Sequence, residues 1–133
     1  MEKKRILIVD DEPSFTRMVK LNLEKTGEFE VREENRALSA LASAREFKPD
    51  LIILDVIMPS LDGGDVANLI KKDRQLRDTP VVFLTATVSR REAGPDGLTS
   101  GGELFLAKPI SLDTLIHCIR EHVRPEPDSE PEI

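Results

Sequence analysis

Four short runs of unbroken apolar residues recur along the chain: "ILIV" (6–9), "LIIL" (51–54), "VVFL" (81–84) and "LFLA" (104–107). A strand that is apolar at every position has no face it can leave in water, so both of its faces must be covered. The covering material is written between the runs. "PSFTRMVKLNLEKTG" places Phe15, Met18, Val19 and Leu23 at helical spacing, with Gly27 as a stop. "RALSALASAREF" predicts a helix with Leu38, Leu41, Ala42 and Phe47 inward. "GGDVANLIKKDRQL" predicts one carrying Val66, Leu69 and Ile70. "SLDTLIHCIREHV" aligns Leu112, Leu115, Ile116, Ile119 and Val123 in one stripe behind Ser111, a plausible cap. "EFEVREE" alternates apolar and polar residues and reads as an edge strand.

Strands alternating with helices form a parallel sheet with helices on both faces. The reading is an α/β, flavodoxin-like, doubly wound five-stranded parallel sheet, strand order 2-1-3-4-5, with five helices. The segment expected to hold the fourth helix, "SRREAGPDGLTSGG", carries Gly94, Pro95, Gly97, Gly101 and Gly102. Those residues weaken a helix, so this one is expected to be short, irregular or mobile. One domain is expected over residues 1–124. Residues 125–133 belong to an acidic stretch with Pro125, Pro127 and Pro131 that reads as a disordered tail or linker.

Composition narrows the function classes. With 133 residues and 39% apolar residues, one core is expected. No run approaches the roughly 18–20 apolar residues that cross a bilayer, and "MEKKRILIVD" is too short in apolar residues for a signal peptide. A cytoplasmic protein is expected. The lone Cys118 has no partner for an internal disulfide, and one Cys with His117 and His122 makes no zinc set. The net charge of −6, without a basic stripe, argues against direct nucleic-acid binding.

Ligands of open α/β sheets bind beyond the carboxyl ends of the strands. The first strand ends in Asp10-Asp11, the third in Asp55, the fourth in Thr85-Ala86 and the fifth in Lys108-Pro109. Polar groups far apart in sequence therefore meet on one rim, and Asp55 stands at the edge of the core rather than in it. Its carboxylate, with those of Asp10 and Asp11, outweighs the single charge of Lys108. Crowded carboxylates call for a divalent cation, and an all-oxygen donor set suits Mg²⁺. A carboxylate beside Mg²⁺ and a lysine is placed to act as nucleophile in phosphoryl transfer. Each residue taken singly has a plainer reading: Asp10-Asp11 in "DDEPS" as a helix start, Thr85 as a strand residue, Lys108 as a loop cation and Phe105 as core.

In "ILIVDDEP", "LIILDVIMPSLDG", "VVFLTA" and "GGELFLAKPI", taken in order over about residues 4–123, the chain resembles the receiver domain of two-component response regulators. The resemblance implies Asp55 as phosphoacceptor and Mg²⁺ held by Asp10, Asp11, Asp55 and the backbone carbonyl of Ile57. It implies Lys108 pairing with the phosphoryl group, Thr85 and Phe105 as switch residues, and a cis bond before Pro109. The implied donor is a histidine kinase or a histidine phosphotransfer protein. The implied output is a downstream protein on the face of the fourth helix, fifth strand and fifth helix, with a phosphorylation-dependent homodimer as a further partner. The domain would catalyse its own phosphorylation and a slow loss of the group. The rival readings are a receiver-like interaction module that takes no phosphate, and a haloacid-dehalogenase-type hydrolase. The hydrolase needs a second Asp two residues after the nucleophile, where Ile57 stands.

Overall fold

The computed structural model describes residues 3–56, 58–59, 61, 63–85, 98–100, 103–108 and 110–123. The strands are β1 (Lys4–Val9), β2 (Phe29–Glu34), β3 (Leu51–Asp55), β4 (Val81–Thr85), β5 (Leu98–Ser100) and β6 (Glu103–Ala107). The helices are α1 (Pro13–Glu24), α2 (Ala40–Phe47, entered through a 3₁₀ turn at Ala37–Ser39), α3 (Gly63–Lys72) and α4 (Leu112–His122). The sheet runs β2-β1-β3-β4-β6-β5. The pairs β1–β2, β1–β3, β3–β4 and β4–β6 are parallel, so the five predicted strands take the order 2-1-3-4-5, with β6 as the fifth.

β5 is a strand that the sequence reading did not include. Its residues belong to the segment assigned to a fourth helix, yet they pair antiparallel with β6, Ser100 opposite Glu103. That register leaves Gly101 and Gly102 between the strands. A Gly-Gly pair in the sequence disfavours helix there, and both residues lie outside the described ones. Residues 86–97, on which the rest of the expected helix falls, lie outside the described residues, as does the 125–133 tail.

The strict period of two along a strand divides the core into two layers. Ile6, Ile8, Leu51, Ile53, Val82, Leu84 and Leu106 point to α1 and α4, where Val19, Leu23, Leu115 and Ile119 meet them. Leu7, Val9, Ile52, Leu54 and Phe83 point to α2 and α3, against Ala40, Ala44, Val66 and Ile70. Each fully buried aliphatic side chain contributes about 1.5–3 kcal/mol.

Helix positions were legible; their inward faces less so. Met18 is 46%, Leu38 73% and Leu69 43% exposed, and Ala42 is exposed as well. On α2 the inward residues are Ala40, Ala44 and Phe47, because a 3₁₀ turn precedes the helix and rotates the face away from Leu38. Gly27 ends the α1 region with φ +80°, as a stop requires. Ser111 Oγ accepts the Thr114 N–H at 3.2 Å and caps α4. Cys118 is buried on α4, and burial, then the charge of Glu121, pushes its thiol up to about 11, far from a reactive thiolate.

Candidate functional site

The ends of β1, β3 and β6 carry the charges. Continuing the alternation of each strand, Asp10 follows Ile6 and Ile8, Asp55 follows Leu51 and Ile53, and Lys108 follows Leu106. All three therefore lean to the α1–α4 side of the rim. Carboxylate oxygens of Asp10, Asp11 and Asp55 lie within 4.8 Å of one another. Asp10 is 1% and Asp55 7% exposed, while Asp11 is open to solvent. Lys108 Nζ reaches Asp10 Oδ2 at 2.6 Å and Asp55 Oδ1 at 3.7 Å, and Glu12 Oε1 stands at 3.9 Å. The ammonium also sits 4.6 Å from the centre of the Phe15 ring, in cation–π range.

Two features hold Asp55 in place. Its strand is packed on both faces, and the loop that follows is closed where the Gly63 N–H donates to the Val56 carbonyl at 2.8 Å. Gly63 passes so close that a Cβ there would lie 2.4 Å from the Asp55 carbonyl oxygen. Asp10 is held differently. Its N–H donates to the Glu34 carbonyl at 3.1 Å, and its Oδ1 accepts the Glu12 N–H at 3.0 Å. The latter is a turn of the Asx kind. The cap position of α1 is Glu12, with Pro13 behind it, so the acids do not cap the helix themselves.

Burial works against the charge on Lys108. The hydrogen bond that the ammonium donates to Asp10, then the charges of Asp10, Asp55 and Glu12, outweigh it and raise the ammonium above its ordinary range. A raised lysine contributes stability that is complete below its unfolded pKa and is lost only as pH rises through the folded one. The pair is therefore intact at neutral pH. In Lys108→Met, Asp10 keeps a buried charge with no cation. Without divalent ions this should cost about 3 kcal/mol, or roughly 10 °C in melting temperature. Thermal melts check it: Asp10→Asn added to Lys108→Met should recover most of the loss, and an unchanged melt for the single variant would contradict the account.

Thr85 is 1% exposed, and its carbonyl accepts the Lys108 N–H at 2.9 Å. The register sets Thr85 beside Ala107 and Phe83 beside Phe105. Phe105 is half-buried and stacks on Phe83, ring centres 4.9 Å apart and planes 16° from parallel. Thr85 follows Phe83 in the alternation, so Thr85 and Phe105 belong to the α2–α3 side, opposite the acids. Ile57 and Pro109 lie outside the described residues.

The fit to a hard divalent cation rests on the donors themselves: three carboxylates converging, with a single ammonium against them. Sequence reasoning passed over Glu12, the Phe15 ring and Asn35, whose side chain holds the Asp10 carbonyl at 2.8 Å. The signal for Asn35 was a polar amide directly after an edge strand, a place where it competes for backbone groups.

Comparison with known proteins is consistent across three kinds of match. A family model described as the response regulator receiver domain matches residues 6–120. The DNA-binding dual master transcriptional regulator RpaA of Synechocystis sp. is 33% identical over 120 residues, covering 90% of this chain and 49% of that protein. The DNA-binding response regulator MtrA of Mycolicibacterium smegmatis is 32% identical over 131 residues, covering 98% of this chain and 55% of that one. The chain spans about half the length of these curated relatives. Among solved structures, the chemotaxis protein CheY4 of Vibrio cholerae superposes with TM-score 0.77 at 29% identity, covering 92% of this chain and all of that one. The signal receiver domain of a signal transduction histidine kinase from Syntrophus aciditrophicus gives TM-score 0.76 at 29% identity, covering 98% and 97%.

Proposed function

The chain belongs to the response regulator receiver family, whose members work in phosphorylation-dependent signalling, and on that premise we propose that Asp55 is its phosphoacceptor. The observation that carries the reading is the meeting of Asp10, Asp11, Asp55 and Lys108 at one rim, from three strands. The donor is a phosphohistidine on a histidine kinase or a histidine phosphotransfer protein. An Asp55 carboxylate oxygen attacks phosphorus in line. The phosphorus–nitrogen bond breaks, and its electron pair stays on the ring nitrogen of the donor. Asp10, Asp11 and Asp55, with the carbonyl of Ile57, would hold Mg²⁺, which supplies positive charge against the phosphoryl oxygens.

Lys108 already lies 3.7 Å from Asp55, so a small swing from Asp10 brings its ammonium to a phosphoryl oxygen. Thr85 then offers its hydroxyl to the same group. Phe105 changes its packing on Phe83, the α2–α3 side of the sheet thereby sensing chemistry on the other. Such a two-state bias needs only differential contacts in the two states. The output surface is the face of β6 and α4 with the segment before them, and the partner there is a protein, including a second copy of the chain. A net charge of −6 supports protein partners over a polyanion. No described helix is long and apolar enough to cross a membrane.

Incubation with Mg²⁺ and a small acyl phosphate, read by intact mass, tests the reading. A gain of about 80 Da that EDTA prevents is the expected result. A chain that stays at its original mass under these conditions would be an interaction module instead.

A further inference from the structure

We propose that Asn35 is a positioning residue for the cation site, setting the direction of the Asp10–Asp11 peptide by standing in for a missing rung of the β1–β2 ladder. The inference rests on the reading of Asp10, Asp11 and Asp55 as the cation site.

In a parallel pair the rungs alternate along the strand. The β1–β2 register ends at Val9 opposite Glu34, and the Asp10 N–H donates to the Glu34 carbonyl at 3.1 Å. The next rung would bring the Arg36 N–H to the Asp10 carbonyl. That N–H is taken instead by Glu34 Oε2, at 3.0 Å, as the chain turns into the 3₁₀ segment. The Asp10 carbonyl receives the Asn35 Nδ2 at 2.8 Å in its place. A carbonyl only accepts, so the orientation of the Asn35 amide is settled by chemistry.

The second N–H of Asn35 is used as well. It donates to Thr16 Oγ1 at 3.0 Å, and Thr16 is fully buried in α1. The Thr16 hydroxyl has one hydrogen. It stands 3.2 Å from the Pro13 carbonyl and 2.8 Å from Glu33 Oε1, the shorter contact. Glu33 Oε2 in turn takes the Arg17 Nε at 3.2 Å. Donors and acceptors thus follow in a consistent chain from α1, through the end of β2, to the Asp10 carbonyl.

The consequence falls on Asp11. Its side chain is exposed and makes no hydrogen bond or ion pair among the described residues, yet a carboxylate oxygen of Asp11 belongs to the acid cluster. Only its backbone can place it there. Repulsion from Asp10 and Asp55 pushes Asp11 outward, and Lys108 is engaged with Asp10. Fixing the Asp10 carbonyl fixes the peptide plane that launches Asp11, so the Asn35 amide limits how far the loop swings away. Groups behind metal ligands typically change affinity about 10–100-fold when removed.

The test is a Mg²⁺ titration of the full chain without any phosphoryl donor, followed through the backbone amide shifts of Asp10, Asp11 and Asp55. Asn35→Leu should raise the half-saturating Mg²⁺ about tenfold. Thr16→Val should raise it less, and the two increases should not multiply in the double variant, because both act through one chain of hydrogen bonds. With saturating Mg²⁺ and an acyl phosphate, the phosphorylation rate of Asn35→Leu should return to near that of the parent. A merely structural role would lower the melting temperature and leave the half-saturating concentration unchanged, and that result overturns the inference alone. A parent chain whose amides do not respond to Mg²⁺ overturns both this inference and the site reading beneath it.

Discussion

Asp55→Asn is expected to take up no phosphoryl group and, in the absence of divalent cations, to melt higher than the parent chain. The first effect is a complete loss, since an amide nitrogen or oxygen does not replace the carboxylate as nucleophile. The second comes from crowding. Asp55 is 7% exposed and shares a space of 4.8 Å with Asp10 and Asp11, while Lys108 sits closer to Asp10, at 2.6 Å, than to Asp55, at 3.7 Å. Neutralising the buried acid that stands farther from the Lys108 ammonium removes a desolvation cost and a repulsion together. The gain should be about 1–2 kcal/mol, some 5 °C in melting temperature. Mg²⁺ should then stabilise the parent more than the variant, because the variant offers it one carboxylate fewer. Intact mass and paired melts with and without Mg²⁺ measure all three. A lower melt for Asp55→Asn in EDTA would show that the acids are not under strain.

Gly63→Ala should be strongly damaging for the addition of a single methyl group. The added Cβ would meet the Asp55 carbonyl oxygen at 2.4 Å and the Val56 Cα at 2.9 Å, both backbone atoms that no rotamer change moves. The Gly63 N–H is tied to Val56 at the same place, so relief means opening the loop that follows Asp55. A loss of about 3 kcal/mol, roughly 10 °C, is expected, together with slower phosphorylation because Asp55 shifts with its carbonyl. Thermal melts and the acyl phosphate assay give both numbers. An alanine variant that melts and reacts like the parent would mean the loop has room to give.

The resemblance quoted Gly63 as part of "LIILDVIMPSLDG", but nothing in a string of letters says that its value is steric. The same divide runs through the rest of the site. Asp10, Asp55 and Lys108 were legible because each ends an apolar run, and parallel strands deliver their ends to one rim. Glu12 and the Phe15 ring were not, because their nearness to Lys108 depends on how α1 leaves β1. Asn35 was not, because its role exists only once the β1–β2 register decides which backbone carbonyl lacks a rung.

Burial periodicity shows the same limit. Four apolar runs, one alternating strand and their amphipathic spacers were enough to imply a parallel sheet covered on both faces, since a strand apolar on both sides has no other stable home; the strand order came with the doubly wound arrangement such a sheet adopts. They did not decide which way α2 faces, and Leu38 turned outward. Nor did they show that Leu98–Ser100 would join the sheet edge instead of a helix. Local propensity and period are properties of neighbouring residues, and the chain carries them openly. Helix rotation, edge pairing and the hydrogen bonds that aim a carboxylate are contests between distant segments. They are resolved only when those segments pack together.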